Sequence, residues 1–254
     1  MNAYTFPWPM NKRTAFDIGH QTVVGFYEWS EQHLVQGKAF QDFMKEQFAS
    51  LPTWLDAINF ESDFGRNTDS KTILFVDVGG ENGQQCLALL EKYLHIQGDI
   101  VLQERPMVLA KASVPQRVRK MEYDYVTEQP VKSVRRALSS FSPSQDLLTV
   151  TGARVYYFRQ IFHNNYDVTC IKILRTHRPA MTPSSAIVID DKALPDEIPA
   201  SSMTPYAASL SVAMPSTFNA IERRETQWKA LFDEAGSGLG LSRGLQALET
   251  RLSL

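Results

Sequence analysis

Cysteine is scarce in this sequence, with two in 254 residues, Cys86 and Cys170. Two thiols so far apart give no disulfide framework and fit a reducing compartment. The five histidines form no tight cluster with them, so the ligand spacing of a structural zinc site is missing. Long apolar runs are missing as well. No stretch approaches the ~18 uninterrupted apolar residues of a membrane span. Residues 1–10, with Pro7 and Pro9, have no apolar centre for a signal peptide. An excess of either charge is also lacking. Lys plus Arg is 26 and Asp plus Glu is 28, a formal net charge of -2, which argues against the basic face of a nucleic-acid binder. The densest basic cluster, Arg117, Arg119 and Lys120, is short and reads as a solvated edge. No internal repeat is present. The expectation is a cytoplasmic globular chain without nucleic-acid or membrane partners, long enough for one large domain plus a short appendage.

The texture changes along the chain. Residues 12–65 read as helical and aromatic, with Phe40, Phe43, Met44 and Phe48 at helical spacing and Trp54, Leu55 and Ile58 continuing the pattern. These read as packing residues, or as a helical wall over a pocket. From Lys71 the pattern alternates between strand and helix. Ile73 to Val76 is a short apolar run closed by Asp77-Val78-Gly79-Gly80, a buried strand and tight turn. Cys86 to Leu94 is helical. Further strands are expected at Ile100 to Gln103, Val118 to Tyr123, Arg154 to Phe158 and Ala186 to Ile189. Helices are expected at Asp167 to Arg175 and at Thr217 to Glu234, the latter capped by Gly236. Strands alternating with helices imply a parallel sheet covered on both faces.

In such sheets ligands sit at the carboxyl ends of the strands, and the candidate site residues fall there. Gly79, Gly80 and Gly83 follow the first strand, where the backbone can approach a ligand and a helix N-terminus can meet an anion. Glu104 lies about 20 residues further on, after the second strand, where an acid can take both hydroxyls of a ribose. A nicotinamide dinucleotide and S-adenosylmethionine both carry that ribose, so these residues leave both open.

The run Tyr156-Tyr157-Phe158-Arg159-Gln160-Ile161-Phe162-His163-Asn164 separates the two. Together with Phe75-Val76-Asp77-Val78-Gly79-Gly80 and the segment from Met121 to Lys132, it resembles the fungal O-methyltransferases, relatives of the plant caffeic-acid-type enzymes. The resemblance covers roughly residues 40–132 and 152–236. It implies an α/β fold with a Rossmann-like class I methyltransferase sheet, helices on both faces and a short helical N-terminal segment. Residues 1–68 would be that segment. Residues 69–254 would be the S-adenosylmethionine-binding domain, interrupted by an atypical insertion at 133–151.

The resemblance also implies roles. His163 matches the catalytic base, and Asp191 and Glu222 match the acids that orient it. Asp124 and Tyr125 match the pair at the adenine, and Arg159 a basic residue four before the histidine. Glu104 stands where the family usually has aspartate. The implied cofactor is S-adenosylmethionine, with no metal. The implied acceptor is the hydroxyl, phenolic by expectation, of a small aromatic or polyketide-like metabolite. A nicotinamide enzyme has no use for the His163 motif. Two other expectations are a non-methylating enzyme on the same fold, pericyclase- or dehydratase-like, and an inactive pseudoenzyme. The family forms a homodimer through an N-terminal winged-helix domain, of which only the connecting helices are matched here. After Gly236 the family closes its sheet with a pair of strands, and residues 237–254 show no period-2 alternation to match them. Glu81 replaces the middle glycine of the family turn, and its charge is expected to oppose the cofactor's carboxylate.

Overall fold

The structure is a computed structural model that describes residues 13–49, 54–132, 152–194, 196–197 and 205–236. The insertion at 133–151 and the strands sought after Gly236 lie outside the described residues. Five helices precede the sheet: α1 (Ala15–Gly19), α2 (Phe26–Gln32), α3 (Leu34–Ala49), α4 (Trp54–Ala57) and α5 (Phe60–Asp63). The first is started by a reciprocal cap. Thr14 Oγ1 accepts from the Asp17 amide at 3.0 Å, and the Asp17 carboxylate accepts from the Thr14 amide at 2.8 Å. That arrangement satisfies two amides that the helix cannot satisfy itself.

The sheet has five parallel strands: β1 (Ile73–Val78), β2 (Asp99–Glu104), β3 (Val118–Glu122), β4 (Val155–Arg159) and β5 (Ala186–Asp190), in the order β3-β2-β1-β4-β5. All five stand where the apolar runs place them, within one or two residues. Helices α6 (Gln84–Lys92), α7 (Pro106–Leu109) and α8 (Asp167–His177) connect the strands. After β5 come β6 (Ala193–Leu194), α9 (Pro205–Phe218), β7 (Arg223–Arg224) and α10 (Glu225–Ala235), and β6 pairs with β7 in parallel.

Alternation along β4 shows why the sheet is covered twice. Tyr156 and Phe158 join a cluster on one face with Phe162, Leu174, Trp228 and Leu231, from α8, α10 and the turn after β4. Val155 and Tyr157 join a second cluster on the other face, with Trp54, Phe60, Cys86 and Leu89 from α4, α5 and α6. Trp54 stacks on Phe75 at 5.5 Å and donates its indole N–H to Gln85. The N-terminal helices thus close one face of the sheet as well as part of its rim. Phe40 packs on Phe26 and Tyr27, whereas Phe43 is exposed. The side chains of Met44 and Phe48 lie outside the described residues. Both cysteines are buried free thiols.

One element departs from the expectation. The helix expected from Thr217 to Glu234 is two helices with a break between them. Asn219 takes a left-handed φ of 58°, a conformation that asparagine tolerates better than most residues, and α9 stops at Phe218. The chain then crosses Ala220–Glu222 to β7 before α10 begins. Glu222 accordingly sits in a buried crossing rather than on a helix face.

Candidate active site

Strands β2 and β3 extend the sheet from one side of β1, and β4 and β5 from the other. The order reverses between β1 and β4, and their carboxyl ends open a crevice there. The turn after β1 lines one bank. Gly79 has φ +68° and Gly83 +75°, conformations that cost a side-chain-bearing residue about 1–2 kcal/mol. A Cβ on Gly79 would meet Ile161 Cδ1 at 2.7 Å, and one on Gly83 would meet Val114 Cγ1 at 2.6 Å. A Cβ on Gly80 would run into the Asp77 carboxylate and Leu102. Packing therefore favours glycine at all three positions.

The turn after β4, Phe162–Asn164, lines the opposite bank and carries His163, which is 7% exposed. His163 Nδ1 lies 2.9 Å from Glu222 Oε1. A carboxylate accepts only, so Nδ1 carries the proton and Nε2 is left as the basic nitrogen. No hydrogen bond among the described residues reaches Nε2. Burial lowers the imidazole pKa, but the Glu222 hydrogen bond and the charges of Asp191 and Glu222 outweigh it and the net shift is upward. Asp191 acts differently from Glu222. Its Oδ2 accepts from the backbone amides of Phe162 at 2.9 Å and His163 at 3.2 Å, so it fixes the turn rather than the ring. Burial pushes the Asp191 pKa to about 6, with the His163 charge pulling it back down. Asp191 Oδ1 and Glu222 Oε2 are buried without a hydrogen-bond partner among the described residues.

The other expected residues lie at or just after the strand ends. Glu104 ends β2 and accepts from the Arg105 amide at 2.5 Å; burial raises its pKa. Asp124 is exposed and accepts from the Val126 amide at 3.1 Å. Tyr125 reaches over Gly79, and burial raises its pKa. Arg159 ends β4 and turns toward Asp190, at 3.7 Å. Its charge also opposes the upward push that burial gives the Asp77 pKa. Glu104, Tyr125 and the glycines thus meet on one bank, with His163, Asp191 and Glu222 on the other, while Asp124 stays at the rim.

Residues outside the expected set support this site. Arg223 is 1% exposed. It donates to the Phe162 carbonyl at 2.7 Å, to the Asn165 carbonyl at 2.7 Å and to Asp167 Oδ1 at 2.7 and 2.9 Å. Its neighbour Glu222 holds the ring while Arg223 clamps the backbone around it. The charged dipeptide was visible in the sequence, but only its acid had a family role. Gln129 exchanges two hydrogen bonds with Gln103 and donates to His177 Nε2 at 2.9 Å. This tie fastens the Asp124 loop and the end of β2 to α8. Burial lowers the His177 pKa to about 4, which keeps the acceptor nitrogen bare. Tyr27 of α2 accepts from the Asn164 side-chain amide Nδ2 at 3.0 Å, which brings the N-terminal helices onto the turn that carries His163.

Asp77 is a buried acid beneath the glycines. Its Oδ2 accepts from Cys86 Sγ at 3.5 Å, and its Oδ1 has no hydrogen-bond partner among the described residues. Burial raises its pKa from 3.8 to about 7, with the Cys86 hydrogen bond and Arg159 opposing. The folded state therefore binds this proton more tightly than the unfolded chain does, and the stability it contributes falls as pH rises from near 4 to near 7. Asp77→Asn is expected to raise unfolding stability at pH 8 by roughly 2–4 kcal/mol and to change it little at pH 4. Urea unfolding of both proteins at the two pH values measures this.

No family model matches the chain. Curated relatives do. The 16-O-methyltransferase bsc6 of Alternaria brassicicola is 37% identical over 229 residues, 88% of this chain and 51% of that protein. The demethylsterigmatocystin 6-O-methyltransferase stcP of Emericella nidulans is 33% identical over 183 residues, 72% of this chain and 78% of the relative. Among solved structures, LepI in complex with SAM superposes with a TM-score of 0.70 at 27% identity, covering 89% of this chain and 52% of that one. A structure described as a pericyclic reaction enzyme superposes at 0.68 and 28% identity, covering 88% and 52%. The chain thus spans about half the length of bsc6 and of both solved structures. The shared parallel sheet and a one-third identity to stcP across most of both chains agree, and this chain belongs to the fungal O-methyltransferase family.

Proposed function

We propose that this protein is an S-adenosylmethionine-dependent O-methyltransferase acting on a hydroxyl, phenolic in chemistry, of a small aromatic or polyketide-like metabolite. The observation that carries the reading is the buried His163–Glu222 pair facing a glycine-lined strand end across the crevice. The residues fit the cofactor. The glycine turn follows β1 with little room for a Cβ at any of its three glycines, Glu104 offers a carboxylate at the end of β2, and Tyr125 lies beside Gly79. Gly79, Gly80, Gly83, Glu104, Asp124, Tyr125 and Arg159 are the residues assigned to it. When bound, the sulfonium supplies an already activated methyl group.

The chain's own work is then binding, orientation and one proton transfer. His163 Nε2 takes the hydroxyl proton of the acceptor. A phenol near pKa ~10 gives it up to an imidazole only with help from the site. Glu222 gives that help by stabilising the imidazolium through Nδ1, and Asp191 adds its charge while holding the turn. In-line placement of the acceptor oxygen supplies most of the remainder.

The first test is calorimetric titration with S-adenosylmethionine. One molar equivalent is expected to bind, equally well with His163→Ala, because the base lies on the acceptor side. Absence of binding to the native protein would overturn the reading. A second reading rests on the likeness to the pericyclic reaction enzyme: a site that binds the cofactor and converts an acceptor without methylating it. Accumulation of S-adenosylhomocysteine during turnover distinguishes the two.

A further inference from the structure

The amides of Gln103 and Gln129 take no part in the chemistry proposed above, yet both side chains are fully buried. Gln103 stands one residue before the end of β2, after the apolar positions Ile100, Val101 and Leu102. A strand covered on both faces needs no polar side chain there, and burying an amide is costly unless its hydrogen bonds are made. Here they are made. Gln129 Nε2 donates to Gln103 Oε1 at 3.0 Å and to His177 Nε2 at 2.9 Å. Gln129 Oε1 accepts from Gln103 Nε2 at 2.8 Å and from the Val131 amide at 3.0 Å. Only the oxygen can meet the Val131 N–H, so the orientation of the Gln129 amide is fixed and its Nε2 faces His177. His177 Nδ1 donates to the Ile173 carbonyl at 2.8 Å, which leaves Nε2 as the acceptor. The two amides and the imidazole thus fit in one arrangement, and a fully satisfied buried network of this kind specifies a unique packing.

The network reaches residues assigned to the cofactor on each side. The Gln103 carbonyl accepts from the Gly79 amide at 2.8 Å and from the Gly80 amide at 3.4 Å. The next residue is Glu104, whose carbonyl accepts from the Tyr123 amide at 3.0 Å. Gln129 closes the loop that carries Asp124 and Tyr125, and its backbone amide donates to the Thr176 carbonyl of α8 at 3.3 Å. The glycine turn, the Glu104 strand end and the Asp124–Tyr125 loop come from separate stretches of chain, and the two glutamines tie them together. We propose that the Gln103–Gln129 pair positions the nucleoside half of the site, setting the spacing between Glu104 and the Asp124–Tyr125 loop without touching the cofactor. The inference rests on the S-adenosylmethionine reading above and adds two positioning residues to it.

The experiment is a double-mutant cycle read by calorimetry with S-adenosylhomocysteine on native protein, Gln129→Met, Glu104→Gln and the double variant. Methionine fills the space of the glutamine without its amide. Gln129→Met is expected to weaken the ligand about tenfold. If Gln129 acts by placing Glu104, the penalty of Glu104→Gln shrinks by roughly threefold or more in the Gln129→Met background. A merely structural role lowers affinity by the same factor whatever stands at position 104, so penalties that simply multiply overturn the inference. An unchanged affinity in Gln129→Met overturns it as well, and leaves the cofactor reading intact. Glu104→Gln binding as tightly as native protein removes Glu104 from the site, and the inference with it. Gln103→Met takes the place of Gln129→Met if the latter does not fold, because it leaves Gln129 bonded to His177 and Val131, and the same cycle decides. If native protein binds neither S-adenosylhomocysteine nor S-adenosylmethionine, the cofactor reading fails and this inference fails with it.

Discussion

Replacing His163 with alanine is expected to lower the rate of methyl transfer by about 10²–10⁴-fold, the usual worth of a positioned general base. The affinity for S-adenosylmethionine should stay within a few-fold of the native value. The expectation follows from geometry. The imidazole is held through Nδ1 by Glu222 at 2.9 Å and lies across the crevice from the glycine turn. The pH profile gives a second readout. Burial lowers the His163 pKa, but the Glu222 hydrogen bond and the Asp191 charge raise it further, so the net shift is upward. Only the neutral imidazole can accept a proton. The native rate should therefore rise with pH through a value above 6.5, and the residual rate of His163→Ala should lack that limb. Single-turnover rates of both proteins between pH 5 and 9, with hydroxylated aromatic acceptors, supply the comparison.

The second large effect is on stability. Arg223→Met keeps much of the side-chain length but strips four charge-assisted hydrogen bonds. Two carbonyls, those of Phe162 and Asn165, lose the guanidinium that satisfies them in the interior. Asp167 suffers less, because its side chain is 63% exposed and water replaces the guanidinium. Hydrogen bonds to charged groups contribute about 1.5–3 kcal/mol each, and orphaned buried acceptors cost about 1–3 kcal/mol. Water entry and relaxation of the turn recover part of this, so a net loss of about 3 kcal/mol is expected in urea unfolding. A loss under about 0.5 kcal/mol, the scale of an ordinary surface change, would show that the clamp is dispensable.

The sheet was legible in the sequence because each strand is a short apolar run bounded by turn residues. Ile73 to Val76 and Ala186 to Ile189 read without ambiguity, since a strand buried on both faces needs no polar alternation. His163 was legible through its flanking string, and Glu104 and the glycines through their place at strand ends. The break at Asn219 was not. Phe218, Ile221 and Trp228 keep a near-helical spacing across it, and no glycine or proline marks the stop. The asparagine itself, a residue type that tolerates the left-handed conformation it takes here, is the one local signal. That break matters because it turns Glu222 and Arg223 inward together. Arg223 was hidden for a related reason: a charged residue in a charged dipeptide reads as surface, and only the fold shows the carbonyls it satisfies. The distinct tasks of Asp191 and Glu222, one on the backbone and one on the ring, also needed coordinates. Both are acids near one histidine, and sequence spacing does not say which atom each will reach.

The central claim is that Glu222 holds His163 with its proton on Nδ1, so that Nε2 is poised as the base. The most direct test is a nitrogen-detected NMR titration of the His163 imidazole, assigned by its absence in His163→Ala. The account predicts an Nδ1–H tautomer with a pKa above 6.5, and a lower pKa in Glu222→Gln. An Nε2–H tautomer whose pKa is indifferent to Glu222→Gln would contradict it.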